Sequence, residues 1–368
     1  MNNLSTENTR KQRLIASRIV FFRKEKEMTQ AELSAQVDFN SRQTLSEIEK
    51  ANRLLQKGEL KRIAKALGRP RSDFMDPFLP VEKSYYSWRA VAEDDMKAFE
   101  NHGDKLITMI DELRQLNEIA RSPLMALPVD KNSMPAEVER IAQAFIDKYQ
   151  LGDNPGANLE YFLENTLGID CIDLPLASGI SGAAIVSHFS NVTFINQNEP
   201  KGRRTFNRAH EAFHCLTWKT LPPKHIESHG GKKPYEEVLA DVFAASLLMP
   251  KQSVIKFAKP EALTSVEHIN VLADFFHVSS SALLYRLKFL GLINAQQLNK
   301  FLSNPNIIHN GSKPVESDFA LYNKKFIELL GSSLDKGLIS VRKACDLLDT
   351  TIDELKAAFY YHNVEARF

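Results

Sequence analysis

Apolar residues recur every three to four positions over most of the chain, the spacing of helices that bury one face. Leu14, Ile15, Ile19 and Phe22 mark a first helix. Thr29 caps a second, with Glu32 three residues on as its capping-box partner. Asn40 or Ser41 caps a third over 41–49, and a fourth over 60–68 is closed by Gly68 and Pro70. Pro77 and Pro80 break the pattern, an aromatic stretch follows at 84–89, and 94–121 reads as a charged helix with apolar Met96, Phe99, Leu106, Ile110 and Leu113. Ser122-Pro123 and Leu127-Pro128 end it. Amphipathic helices are expected over 137–149 and 158–167, the second closed by Gly168.

The period then changes. Short apolar runs at 169–174, 183–187 and 192–196 read as strands, with Gly179 and Gly182 in the turns. The run at 192–195 is the candidate edge strand beside the helix that follows, a place where an extended peptide could add. Between Phe206 and Trp218 there is no Gly or Pro, and Phe206, Ala209, Phe213 and Leu216 predict a buried helix. Residues 235–249 predict another, broken near Pro250. Helices over 266–279 and 282–287 follow, with Ser279 or Ser280 as cap and Gly291 as stop. A polar loop leads to further helices over 326–334, 340–348 and 352–361. The expected class is α+β, mostly helical: an N-terminal helical module (1–80), a helical linker (81–135), a domain with a short sheet (136–300) and a C-terminal helical region (301–368).

Chemistry concentrates in the buried helix, which contains His210-Glu211-Ala212-Phe213-His214. Histidines four residues apart on a helix project from one face within reach of one ion, and the glutamate between them can take a proton from water at that ion. A catalytic zinc site needs a third protein ligand and an open vertex. Glu237 and Asp241 stand one turn apart on the next helix. Glu237 is assigned as the third ligand, and Asp241 as the carboxylate that accepts the other ring N–H of His210. The loop between the helices holds His225 and His229; these two and Tyr235 are candidate oxyanion stabilisers, and either histidine is a rival to Glu237 as ligand. Glu211 is the candidate general base.

Composition adds limits. The chain has 368 residues, 43% of them apolar, and a net charge of +1, so no global field names a partner. Residues 1–80 hold 16 Lys/Arg against 10 Asp/Glu, a balance of +6, which leaves −5 for the remainder. A mildly basic N-terminal module suits phosphate contact. Cys171, Cys215 and Cys345 are widely spaced with no C-x-x-C, as in a reducing compartment. No run approaches eighteen apolar residues, and a cytoplasmic protein without a membrane partner is expected.

The pairing of R-R-x-F-x-x-A-H-E-x-x-H with E-x-x-A-D-x-F-A-A-x-L-L-M-P resembles the ImmA/IrrE metallopeptidases, small zincins of the glutamate-zincin kind. The resemblance implies a Zn2+ endopeptidase whose protein substrate is a transcriptional repressor, itself of the helix-turn-helix kind, cut to release a stress, mobile-element or defence programme. The family usually has Leu-Gly where this chain has Ala212-Phe213, so Phe213 is expected to crowd or reshape the cleft; Asn207 stands where Thr is common. T-Q-x-E-L, S-R-Q-T-L-S-x-I-E and L-x-R-I-A-K-A-L-G at 29–68 resemble an Xre-type helix-turn-helix. That implies double-stranded DNA as partner, with Ser41, Arg42, Gln43 and Thr44 at base edges and Gln30 and Lys50 on phosphate. Asp38 stands where Gly is usual. Two rivals are a transcriptional regulator and an antitoxin, each with a sensory or structural metal site and no proteolysis. Oligomeric state, a dimer included, is left open by the sequence.

Overall fold

The computed structural model describes residues 2–79, 86–90, 93–177, 179–222, 233–259, 263–308, 317 and 319–368, with backbone alone at 2–7, 87–90, 93–98 and 101. The chain divides into two compact units, Met1–Lys83 and Ser84–Phe368.

Among the described residues the first unit contains five helices: α1 (Asn2–Glu25), α2 (Gln30–Gln36), α3 (Arg42–Glu49), α4 (Glu59–Leu67) and α5 (Arg71–Met75). Their apolar faces meet in a core of Ile19, Phe22, Leu33, Leu45, Ile48, Ile63 and Phe74. Thr29 and Glu32 form the reciprocal capping box, and Ser41 rather than Asn40 caps α3. Asp38, in the turn between α2 and α3, has φ 55°, a left-handed conformation that Asp tolerates better than most residues.

In the second unit a four-stranded sheet is built from β1 (Ser87–Ala90), β2 (Asp170–Leu174), β3 (Ile180–Val186) and β4 (Asn191–Asn196), in the order β1-β3-β4-β2. β2 runs parallel to β4, while β3 is antiparallel to both β4 and β1. Two expectations are corrected here. The run at 192–195 is interior, paired on both sides, so it offers no edge. Gly182 lies inside β3 instead of in a turn, because the strand begins three residues earlier than its apolar pattern suggests.

Twelve helices accompany the sheet in this unit among the described residues: α6 (Glu93–Leu116), α7 (Pro135–Tyr149), the single turn α8 (Leu159–Phe162), α9 (Lys201–Thr217), α10 (Tyr235–Leu248), α11 (Lys251–Ala258), α12 (Val266–Phe275), α13 (Ser280–Phe289), α14 (Ala295–Leu302), α15 (Lys324–Asp335), α16 (Val341–Leu348) and α17 (Ile352–Tyr361). α6 buries Leu106, Ile110 and Leu113 and packs on β1, α15 and α16, so it is built into this unit. α9 lies on β3 and β4, and α10 packs on α9 and α7. Both elements contribute to one large core, α10 through Leu239, Ala240, Phe243, Ala244, Leu247 and Leu248. Among the described residues no single helix is long and apolar enough to cross a membrane.

Candidate metal centre

α9 brings His210 and His214 to one face, and α10 delivers Glu237 opposite them. His210 Nε2 lies 3.0 Å from Glu237 Oε2, His214 Nε2 lies 3.1 Å from Glu237 Oε1, and the two Nε2 atoms are 3.3 Å apart. All three residues are buried, and their donor atoms fall within 4.8 Å of one another. Zinc bonds of about 2.0–2.1 Å at tetrahedral angles place donor atoms about 3.3 Å apart, so this triangle fits one face of such a polyhedron. The donor set agrees. Asp241 Oδ1 sits 2.9 Å from His210 Nδ1, placed to hold the ring proton on Nδ1 when a metal takes Nε2.

Burial disfavours charge on Glu237, Asp241 and His210, yet their polar contacts outweigh it. Burial pushes the Glu237 carboxyl up, but hydrogen bonds from His210 and His214 outweigh it and hold the group well below the usual carboxylate range. Asp241 is pushed up by burial and pulled down by His210 and Lys233, ending at about 2. For His210, burial lowers the pKa and contacts with Asp241 and Glu237 more than restore it. A negative pocket that stabilises positive charge on imidazole is also one that attracts a divalent cation.

Glu211 is fully buried on the same helix. Its neighbour is Gly182 of β3: a Cβ there would lie 3.1 Å from Glu211 Cγ, 3.2 Å from Oε1 and 2.9 Å from the Phe194 carbonyl oxygen. Glycine is thus the residue that lets β3 approach this carboxylate.

The centre is supported mostly by residues far apart in the chain. Lys233 pairs with Asp241. Asn207, one turn before Glu211, donates to the Ser181 carbonyl and to Glu199, which also accepts from Ser181 Oγ at 2.8 Å. Arg204 and Arg208, spaced i,i+4 on the side of α9 away from the histidines, both reach Asp173 of β2 at 2.7 Å. The Arg204/Arg208 spacing was the available signal; their acidic partner, over thirty residues upstream, carried none.

The Phe213 ring is fully buried between Phe243, at 5.5 Å, and the His214 ring, which it meets edge-on at 5.8 Å, so it borders the ligand triangle. Tyr235 is not brought to the triad: its hydroxyl donates to the Ser133 carbonyl at 3.0 Å. His225 and His229 lie outside the described residues. Beside Asp241 opens a cavity of about 520 Å³, mainly apolar, whose walls include Phe206, Val242, Tyr285 and Phe289.

In the first unit the predicted DNA contacts other than Lys50 lie around the start of α3. Arg42 Nε donates to Gln30 Oε1 at 3.2 Å, Gln30 Nε2 donates to Glu49 Oε2 at 2.7 Å, and Arg23 Nε donates to Glu49 Oε1 at 2.7 Å. Ser41, Arg42, Gln43 and Lys50 are exposed and Thr44 is half-buried. Ser41 Oγ accepts from the Thr44 N–H as the helix cap, and Lys50 ends α3, 3.8 Å from Glu47.

Residues 164–288 match a metallopeptidase family described as the IrrE N-terminal-like domain, and residues 21–74 match a helix-turn-helix family. No curated protein and no solved structure matches the chain. The first span holds β2, β3, β4, α9, α10 and the complete His210–His214–Glu237 triangle; β1, α6 and α7 precede it.

Proposed function

We propose that this chain, which joins a helix-turn-helix domain to an IrrE N-terminal-like metallopeptidase domain, is a zinc-dependent endopeptidase of the glutamate-zincin kind acting in the cytoplasm. The observation that carries the reading is the convergence of His210, His214 and Glu237 from two helices, with the Glu211 carboxylate on the same helix as the histidines. His210, His214 and Glu237 would hold Zn2+, which supplies Lewis acidity toward a peptide carbonyl and lowers the pKa of water to roughly 7. Glu211 accepts the proton of the attacking water and returns it to the leaving nitrogen. Asp241 fixes the His210 ring. The apolar cavity by Asp241 has room for side chains of a bound peptide.

The substrate in this reading is a helix-turn-helix transcriptional repressor, cut to release a stress, mobile-element or defence programme, with the N-terminal unit bringing the peptidase to DNA. The test incubates the full chain, with zinc and with chelator, against the repressor encoded beside it. Zinc-dependent cleavage by wild type and none by Glu211→Gln is expected. Equal survival of the repressor with both zinc-loaded proteins overturns this assignment.

A further inference from the structure

β3 touches the candidate base and carries an outer edge, and that edge is already taken. One side of β3 pairs with β4; the other pairs with β1, a segment upstream of the peptidase-family span. The register sets Arg89 opposite Gly182, the residue against Glu211, with Trp88 opposite Ala183 and Ser87 opposite Ala184. An extended peptide bound to a sheet draws its main-chain hydrogen bonds from such an edge. For a substrate stretched past Glu211, β3 is the strand at hand.

We propose that residues 87–90 are a tethered occupant of the substrate-binding edge, an internal strand that an extended region of a protein substrate must displace. The inference rests on the peptidase reading above. Two further observations support it. The pairing is short, four residues, with a register shift between Arg89 and Ala90, and so small a strand is marginal by itself. It is instead pinned at its entry. Buried Tyr86 donates to Asp104 Oδ1 at 2.8 Å and meets the Phe99 ring edge-on at 6.1 Å, and Phe99 packs on Phe194 of β4 at 5.4 Å. Gly103 admits the phenol, since a Cβ there would lie 2.9 Å from the Tyr86 oxygen. A weak strand on a firm anchor suits reversible occupation: tethering keeps its effective concentration high, on the order of millimolar, while a longer peptide can still outcompete it.

The test uses the full zinc-loaded chain. Trp88→Pro removes one amide donor and disfavours strand pairing. In the opposite sense, Trp88→Cys with Ala183→Cys joins residues directly opposed across the ladder, within disulfide reach, and holds the strand down when oxidised. The probe is a labelled synthetic peptide with the chain's own sequence from 84 to 92, its binding read by fluorescence anisotropy in a Glu211→Gln background where no turnover is needed. Freeing the edge should tighten binding about tenfold or more, because apparent affinity scales with the open fraction. The oxidised double cysteine should bind none until reduced, and amides of 180–186 should exchange faster in Trp88→Pro. Equal peptide binding by Trp88→Pro and its parent, or unchanged exchange at 180–186, overturns the proposal. Cleavage of the repressor is followed separately in the Glu211 proteins: its absence condemns the peptidase reading, and the binding arm still decides who holds the edge.

Discussion

Asp241→Ala separates the orientation of a ligand from the ligand itself. Asp241 Oδ1 stands 2.9 Å from His210 Nδ1 and is the carboxylate that fixes the tautomer presenting Nε2 to His214 and Glu237. Its removal leaves all three donors in place but lets the His210 proton move between nitrogens. Partners of this kind typically change metal affinity 10–100-fold, which is about 1.4–2.7 kcal/mol at about 1.36 kcal/mol per decade. The fold should suffer less. Asp241 is more than a third exposed, and its other partner, Lys233, is similarly exposed, so no charge is stranded in the core. Asp241→Asn keeps an acceptor and should fall between alanine and wild type. The assay is a zinc titration against a chromophoric chelator, paired with melting at fixed free zinc, where each lost decade removes about 1.4 kcal/mol of metal-dependent stabilisation. A zinc affinity within threefold of wild type in Asp241→Ala, with unchanged metal-free melting, would refute the role given to this carboxylate.

Burial, opposed by Asn323, pushes the Glu164 carboxyl up to about 7 from its ordinary 4.5; the stability it contributes is complete below pH 4.5 and is lost as pH rises through about 7. Glu164→Gln should flatten up to about 3 kcal/mol of that slope in denaturant titrations at pH 5 and 8, and an unchanged slope rejects the assignment. Phe213→Ala should cost about 3–5 kcal/mol of stability and, by removing the ring that packs on His214, weaken zinc binding, measured by melting and chelator competition; an unchanged zinc affinity would mean the contact does not position the ligand. Asp173→Ala leaves Arg204 and Arg208 without their shared carboxylate and should destabilise by about 3–5 kcal/mol, read by urea unfolding; a loss under 1 kcal/mol would mean solvent reaches the pair. Arg42→Ala should weaken duplex DNA binding and reduce its salt dependence, followed by anisotropy from 50 to 200 mM salt; no binding by wild type at low salt would end the DNA reading of the first unit.

The metal triangle was legible because it follows from helical period. His210 and His214 share a face at i,i+4, and Glu237 and Asp241 repeat that spacing on an apolar helix whose polar residues need a reason to be there. The capping box at Thr29 and Glu32 was legible for the same cause, being contained within four residues. Pairings between distant segments were not. Nothing in Ser87-Trp88-Arg89-Ala90 alternates clearly enough to announce a strand, and its partner lies about a hundred residues away. Gly182 looked like a turn because glycine is the commonest turn residue; its role depends on how closely Glu211 packs, which no local pattern encodes. Phe213, expected to crowd or reshape the cleft, points about 100° away from His214 on the helix and is buried in the core, where its ring also meets that of His214.

Both flanks of the sheet are completed by chain from outside the peptidase-family match. β1 covers β3, and on the far side Tyr322 forms a single antiparallel bridge to Asp173 of β2, donating at 2.8 Å and accepting at 3.4 Å. A recombinant fragment trimmed to 164–288 would therefore carry bare backbone donors and acceptors along two borders, a template for self-association. Such a fragment should precipitate or form oligomers where the intact second unit stays dispersed, so expression trials are better cut near Ser84 and kept through the C-terminal helices.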